Sequence, residues 1–97
     1  MIVNICGIPH KVIYDDVIDE EYSGVTQGKI IYSKCEIHLK KGLTKELEEE
    51  VLIHEMIHGI LLHLGKSELS DDEEFVQLLA HGVFEHFKIR EWRYGTR

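Results

Sequence analysis

Cysteine, basic residues and long apolar runs are all scarce in this 97-residue sequence. Its two cysteines, Cys6 and Cys35, are too few for a disulfide-rich secreted scaffold. No apolar run reaches the roughly 18 residues that suggest a membrane-spanning helix. The N-terminus also lacks the charged start and apolar stretch of a secretion signal. We therefore expect a cytoplasmic protein with free thiols.

The shortage of basic residues bears on the choice of partner. Lys and Arg number 11 and Asp and Glu number 18, which gives a formal net charge of −7. Proteins bind nucleic acid through clustered Lys and Arg, and no such cluster dominates this chain. We expect no direct contact with nucleic acid or with a membrane, and a protein or peptide as the partner. The sequence does not indicate an oligomeric state.

The sequence does have enough apolar residues for one small core. Hydrophobic residues make up 43% of the chain, and a domain of this size hides about 60–65% of the surface of its unfolded chain. No internal repeat or linker interrupts it. We expect a single domain over residues 1–97.

The first part of the chain predicts strands. Residues 1–14 are rich in Ile and Val and predict one strand or a short hairpin, broken near Gly7 and Pro9. Residues 29–32 and 35–39 predict two more strands with a turn between them. The expected result is an antiparallel sheet of about three strands.

Two long helices should follow this sheet. Apolar side chains recur at helical spacing in residues 43–65, where Thr44 is a good N-cap and Gly65 a good C-terminal stop. Ser70 and Glu73 have the spacing of a capping box, which predicts a second helix over residues 71–89. The predicted fold class is therefore α+β, with the sheet packed on two long helices.

The most informative residues are the run HEMIH at positions 54–58, in the first helix. Histidines four residues apart on a helix lie on one face, with about 5–6 Å between their Cβ atoms, so His54 and His58 can bind one zinc ion. Glu55 follows about 100° round the helix, where it can accept a proton from a water that zinc has made acidic. We predict that His54 and His58 bind Zn²⁺ and that Glu55 is the catalytic base.

A catalytic zinc usually has three protein ligands and one open position. If Glu73 turns back to cap the second helix, Glu74 is free for the metal, and we predict Glu74 as the third ligand. Glu73 is the alternative, because it lies nearer the apolar face on a helical wheel. Both glutamates could instead be solvated acids that stabilise a helix N-terminus.

The remaining polar residues carry weaker signals. Side chains that could stabilise an oxyanion are Tyr14, Tyr22, Tyr32, Tyr94 and His81, which the sequence does not rank. We expect His63 on the surface, pointing away from the metal. No role is predicted for His10, His38 and His86.

The motif and the helix after it resemble a known family. Residues 51–60 (VLIHEMIHGI) and 72–80 (DEEFVQLLA) resemble the small zincin-like metallopeptidases of the ImmA/IrrE type, especially the short versions of phages and prophages. The resemblance implies a zincin-like fold and zinc-dependent hydrolysis of peptide bonds in a protein substrate such as a regulator. It implies that His54, His58 and Glu74 hold the zinc and that Glu55 is the general base. Leu78 stands where larger zincins have a carboxylate that supports the site.

Two other classes of function stay open. A catalytically inactive zinc-binding interaction protein of phage origin would close the site with a fourth ligand, such as Cys35 or His81. A metal-free interaction protein would bury both histidines in its core and would melt identically with and without a chelator. For a peptidase, we expect an extended substrate to pair with an exposed sheet edge, and residues 35–39 are the predicted edge strand.

Overall fold

A computed structural model of the chain describes residues 1–16 and 27–89. Its elements, in chain order, are β1 (Ile2–Ile5), β2 (Ile8–Asp15), β3 (Gly28–Ile31), β4 (Glu36–Lys40), α1 (Lys45–His63), α2 (Ser67–Ser70) and α3 (Glu73–His86). A 3₁₀ turn over Tyr32–Lys34 joins β3 to β4. The predicted α+β class is confirmed.

The sheet has four strands in the order β1-β2-β4-β3. Two antiparallel hairpins, β1–β2 and β3–β4, meet through a parallel pairing of β2 with β4, in which Val12 lies opposite Ile37. The prediction of about three antiparallel strands is therefore corrected. Residues 1–14 form two strands because Cys6 and Gly7, both at positive φ (51° and 83°), make the two-residue turn that a tight hairpin requires.

The predicted edge strand is also corrected. Strand β4, which contains the predicted segment 35–39, pairs with β2 on one side and β3 on the other, so it lies inside the sheet. Ile37 and Leu39 point into the core and are fully buried. At this end of the sheet the outermost strand among the described residues is β3.

The ends of helix α1 agree with the sequence. The Thr44 hydroxyl accepts a hydrogen bond from the Leu47 amide at 3.2 Å, as an N-cap does. After the helix, Gly65 has a left-handed φ of 74°, and the Lys66 amide donates back to the Leu61 carbonyl at 2.8 Å. The chain then enters the short helix α2, which was not predicted.

The prediction of two long helices is corrected: α1 and α3 are separated by the short helix α2, and α3 starts later and ends earlier than predicted. Asp72 caps α3 by accepting a hydrogen bond from the Phe75 amide at 3.1 Å, and the helix runs over Glu73–His86 instead of residues 71–89. Ser70 belongs to α2. The predicted capping box between Ser70 and Glu73 therefore does not form.

Helix α1 lies between the sheet and α3, with a hydrophobic cluster on each side. The sheet side contains Val3, Ile5, Val12, Ile37, Leu39 and Leu52. The α3 side contains Ile53, Ile57, Leu61, Val76 and Ala80. These two clusters cover two faces of α1. A narrow part of the helix surface stays open to the cleft between β3 and α3, and His54, Glu55 and His58 lie there.

Across residues 1–16 and 27–89, none of the helices combines the length and apolarity that crossing a membrane requires. Cys6 and Cys35 are both unpaired, as expected for free thiols.

Candidate metal centre

The two motif histidines lie one turn apart in the middle of helix α1, in the wall of a cleft. Their side chains are 16% exposed for His54 and 13% exposed for His58. Neither belongs to the hydrophobic clusters on the two sides of the helix. Both rings are thus held by their surroundings but remain reachable from the cleft.

The third donor is the carboxylate of Glu73, the first residue of α3. Its Oε2 atom lies 3.1 Å from His54 Nε2, and its Oε1 atom lies 2.8 Å from His58 Nε2. The two Nε2 atoms are 3.2 Å apart. A tetrahedral zinc with bonds of about 2.0–2.1 Å separates its ligand atoms by roughly 3.3 Å, close to these distances. The three residues form a group that could hold a metal ion.

Glu74, the predicted third ligand, is not part of this group. That prediction assumed that Glu73 would turn back to cap the helix. Asp72 is the cap instead, so the Glu73 carboxylate is free to reach the histidines. Glu74 is one residue, about 100°, further round the helix, and its side chain is exposed. The structure therefore brings the alternative ligand, Glu73, to the site.

No fourth donor joins these three within the part of the chain that the structure describes. Cys35 follows the 3₁₀ turn between β3 and β4, and His81 is exposed on α3. Three protein ligands with a free position are typical of catalytic zinc, whereas structural zinc usually has four. Within residues 1–16 and 27–89, the donor set therefore has the number of ligands typical of an open site.

Each histidine is also held through its other ring nitrogen. His54 Nδ1 lies 2.8 Å from Gln77 Oε1, and His58 Nδ1 lies 2.9 Å from Ser70 Oγ. Partners at Nδ1 orient the ring so that Nε2 faces the metal. Leu78, the position that the resemblance compares with a supporting carboxylate, is 67% exposed. Its neighbour Gln77 is the residue that contacts His54.

Glu55 lines the same cleft and is 7% exposed. Burial, with a smaller effect from the negative charge of Glu73, raises the pKa of Glu55 to about 8. Strongly shifted carboxyl groups are common at catalytic positions, because a base works best with a pKa near the working pH. Burial also lowers the pKa of His58, which favours the neutral imidazole that binds metals.

The cleft has a volume of about 730 Å³ and lies between β3, α1 and α3. Gln27, Gly28, Lys29 and Ile30 form its sheet side. Strand β3 comes very near to α1 at Gly28, where an added Cβ would be 2.7 Å from Val51 Cγ1. The outermost described strand on this side of the sheet therefore runs beside the histidines.

No protein-family model, curated protein or solved structure matches this chain significantly. The resemblance of residues 51–60 and 72–80 to zincin-like peptidases therefore stays a prediction. The donor geometry and the cleft around it are the features that indicate a function.

Three of the five predicted oxyanion donors belong to the described residues, and these three do not line the cleft. Tyr14 donates a hydrogen bond to Glu48 at 3.4 Å, and Tyr32 packs against the His63 ring. His81 is exposed on α3, and none of the three lines the cleft. The other two candidates, Tyr22 and Tyr94, lie outside the described residues.

Sequence reasoning did not find Ser70 or Gln77 as partners of the histidines. Gln77 was detectable, since it is four residues after Glu73 and so shares its helix face. Ser70 gave no such signal, because its position depends on the turn at Gly65 and on helix α2.

The other histidines lie elsewhere in the fold. His10 is fully buried, with Nδ1 2.8 Å from the Ile8 carbonyl oxygen. Its Nε2 faces His63 Nε2 at 3.5 Å. His63 therefore points away from the metal centre, as predicted, but it packs on the sheet instead of lying free on the surface.

Proposed function

We propose that this protein is a zinc-dependent metallopeptidase that hydrolyses peptide bonds in a protein substrate. The observation that carries the proposal is the convergence of His54 Nε2, His58 Nε2 and the Glu73 carboxylate within 4.8 Å of one another. Glu55 lines the same cleft as these donors. Two imidazoles and one carboxylate are the ligands of a well-known class of hydrolytic zinc sites.

Zinc, when bound by His54, His58 and Glu73, lowers the pKa of water and polarises a carbonyl group. Glu55 accepts the proton of the attacking water and passes it to the leaving amine. Its burial supports this role, because a carboxylate with little solvation is a stronger base than one in water. The divalent charge would also offset the repulsion between Glu55 and Glu73.

The cleft supports an extended peptide as the substrate. Strand β3 is the outermost strand at this end of the described sheet, and it lines the cleft. A peptide could add to the edge of this strand through main-chain hydrogen bonds and so lie across the metal centre. Strand β3 takes the place of residues 35–39, the strand that the sequence favoured for this contact.

The test combines metal content with hydrolysis. Protein purified without a histidine tag or added metal is analysed for zinc and then incubated with a mixture of peptides, whose products are identified by mass spectrometry. We expect about one zinc per chain, and cleavage that a chelator and Glu55→Gln both abolish. Glu68→Gln, an exposed carboxylate of α2 outside the cleft, is the control and should cleave normally. Cleavage that persists in Glu55→Gln would contradict the proposed mechanism.

The second candidate is a catalytically inactive zinc-binding interaction protein. One observation favours it: none of Tyr14, Tyr32 and His81, the oxyanion candidates in the described residues, lines the cleft. This protein would bind zinc through the same three ligands but would cleave no peptide. Its binding to a partner would survive Glu55→Gln, which separates it from the peptidase.

A further inference from the structure

The side chain of Gln77 bridges two residues of helix α1. Glu50 and His54 are four residues apart, so they lie on one face of the helix. Gln77, on α3, donates a hydrogen bond from Nε2 to Glu50 Oε1 at 3.2 Å. Its Oε1 atom accepts from His54 Nδ1 at 2.8 Å. All three side chains line the cleft.

The chemistry of the three side chains fixes which group donates and which accepts in these two hydrogen bonds. An ionised carboxylate only accepts hydrogen bonds, so Glu50 must face the amide nitrogen of Gln77. The amide oxygen of Gln77 must then face His54, where it can only accept. A proton on His54 Nδ1 therefore meets an acceptor, and His54 can then bind a cation through the lone pair of Nε2. Without a cation, the Glu73 carboxylate, 3.1 Å from Nε2, competes for the proton of His54.

The partner of His58 imposes no such order. The Ser70 hydroxyl, 2.9 Å from His58 Nδ1, can donate or accept a hydrogen bond. Either tautomer of His58 is therefore satisfied at Nδ1. Of the two histidines, His54 is the one whose tautomer is set by a carboxylate, through the amide of Gln77.

We propose that Glu50 is a positioning residue for the metal centre, acting through the Gln77 amide to hold His54 in the tautomer that binds a cation at Nε2. This inference rests on the proposed metal centre. It goes beyond the three ligands because Glu50 does not belong to the group of donors. Removing Glu50 would free the Gln77 amide to rotate and offer its nitrogen to His54.

The first test measures zinc affinity by competition with a chromogenic chelator. Glu50→Ala and Gln77→Ala should each weaken zinc binding by about 10–100-fold, the usual effect of losing a partner of a ligand. The double variant should bind zinc no more weakly than Gln77→Ala alone, because both substitutions break one chain of hydrogen bonds. Glu46→Ala, an exposed acid of the same helix outside the cleft, should leave the affinity unchanged.

Glu50→Gln removes the negative charge of this side chain but keeps an oxygen that can accept the hydrogen bond from Gln77. Its amide oxygen can still accept from Gln77, so we expect affinity near that of the wild type. If Glu50→Gln weakens binding as much as Glu50→Ala, or if the effects of Glu50→Ala and Gln77→Ala add, Glu50 acts through its charge and the inference is overturned. Wild-type affinity in Glu50→Ala would overturn it as well.

A second readout needs no metal. Nitrogen NMR of the histidine rings of Glu73→Ala, in chelator and at a pH above the ordinary His pKa of about 6.5, reports which nitrogen of His54 carries the proton when no carboxylate accepts at Nε2. We expect His54 to be protonated at Nδ1 in this variant and to lose the preference when Glu50→Ala is added. A preference unchanged by Glu50→Ala would contradict the inference. Lack of zinc binding by the wild type would instead contradict the metal centre, so the two failures are distinct.

Discussion

Gly59 of helix α1 lies so close to Ile30 of strand β3 that an added Cβ would be 2.9 Å from Ile30 Cδ1. A Cβ there would also be 3.0 Å from Ile5 Cδ1. Gly59 follows His58 directly, so this contact sets how near the metal centre comes to the strand beside the cleft. The absence of a side chain at Gly59 therefore serves both the packing of the helix and the position of the site.

Gly59→Ala should lower the free energy of unfolding by about 1–3 kcal/mol, the usual effect of adding a methyl group to a packed interface. Zinc binding should change little, because the ligands lie on α1 and α3 and the atoms nearest the added Cβ are the flexible ends of Ile30 and Ile5. Chemical denaturation and chelator competition measure the two effects. The matched control is Gly82→Ala in α3, where a Cβ meets nothing within 4 Å. This change should stabilise the helix by up to about 1 kcal/mol, and a similar loss in both variants would contradict the argument.

Glu73→Ala should remove most of the zinc affinity, because it deletes one of the three donors. Glu74→Ala changes the next residue, which is exposed, and should retain about one zinc per chain. Elemental analysis of both variants after dialysis decides between the two glutamates. Loss of zinc from Glu74→Ala alone would restore the ligand set that the sequence favoured.

The stability of the metal-free protein should depend on the ionisation of Glu55. Burial raises the pKa of this carboxyl from 4.5 to about 8 in the folded protein, so folding takes up a proton between these two pH values. The contribution of Glu55 is fully present below pH 4.5 and is lost as the pH rises through about 8. The expected loss is roughly 1.4 kcal/mol for each pH unit in that interval.

Urea unfolding in chelator, with Glu55→Gln as the reference, isolates this effect. The variant has no charge to lose at this position, so its advantage over the wild type should grow from pH 5 to pH 8, the window between the two pKa values of Glu55. Effects of the neighbouring histidines are common to both proteins and largely cancel. A constant difference across this range would show that Glu55 is solvated as in the unfolded chain.

His10→Ala should destabilise the fold without affecting the metal centre. The His10 side chain is fully buried, so its loss leaves a cavity and should cost about 2–5 kcal/mol, as other large-to-small core changes do. Zinc content should not change, because His10 contacts His63 rather than the ligands. His86→Ala, with a side chain 73% exposed, is the control, expected within about 0.5 kcal/mol of the wild type. Equal melting temperatures for both variants would contradict this prediction.

The features that the sequence predicted well depend on neighbouring residues. The cap at Thr44 and the stop at Gly65 follow from local hydrogen-bonding rules, and the structure has both. The pairing of His54 with His58 follows from the helical repeat, which brings residues four apart together on one face.

The features that the sequence missed depend on distant parts of the chain. Strand β4 pairs with β2 from more than twenty residues away, and no local pattern specifies that register. The prediction of Glu74 over Glu73 assumed that Ser70 caps α3. With Asp72 as the cap, a different carboxylate faces α1. Both residues are good caps, and Asp72 is the cap of α3 because Ser70 belongs to the helix before it.

The three donors of the metal centre come from two helices that are separated by the turn at Gly65. An ion bound there would act as a crosslink between His58 and Glu73, closing a loop of about 15 residues, which in a chain-entropy model is worth about 3 kcal/mol. Both thiols are unpaired, so the metal ion would be a crosslink of another kind, and a chelator could remove it. Removing the ion would leave the hydrophobic contact and the side-chain hydrogen bonds between the two helices to hold α3 against α1.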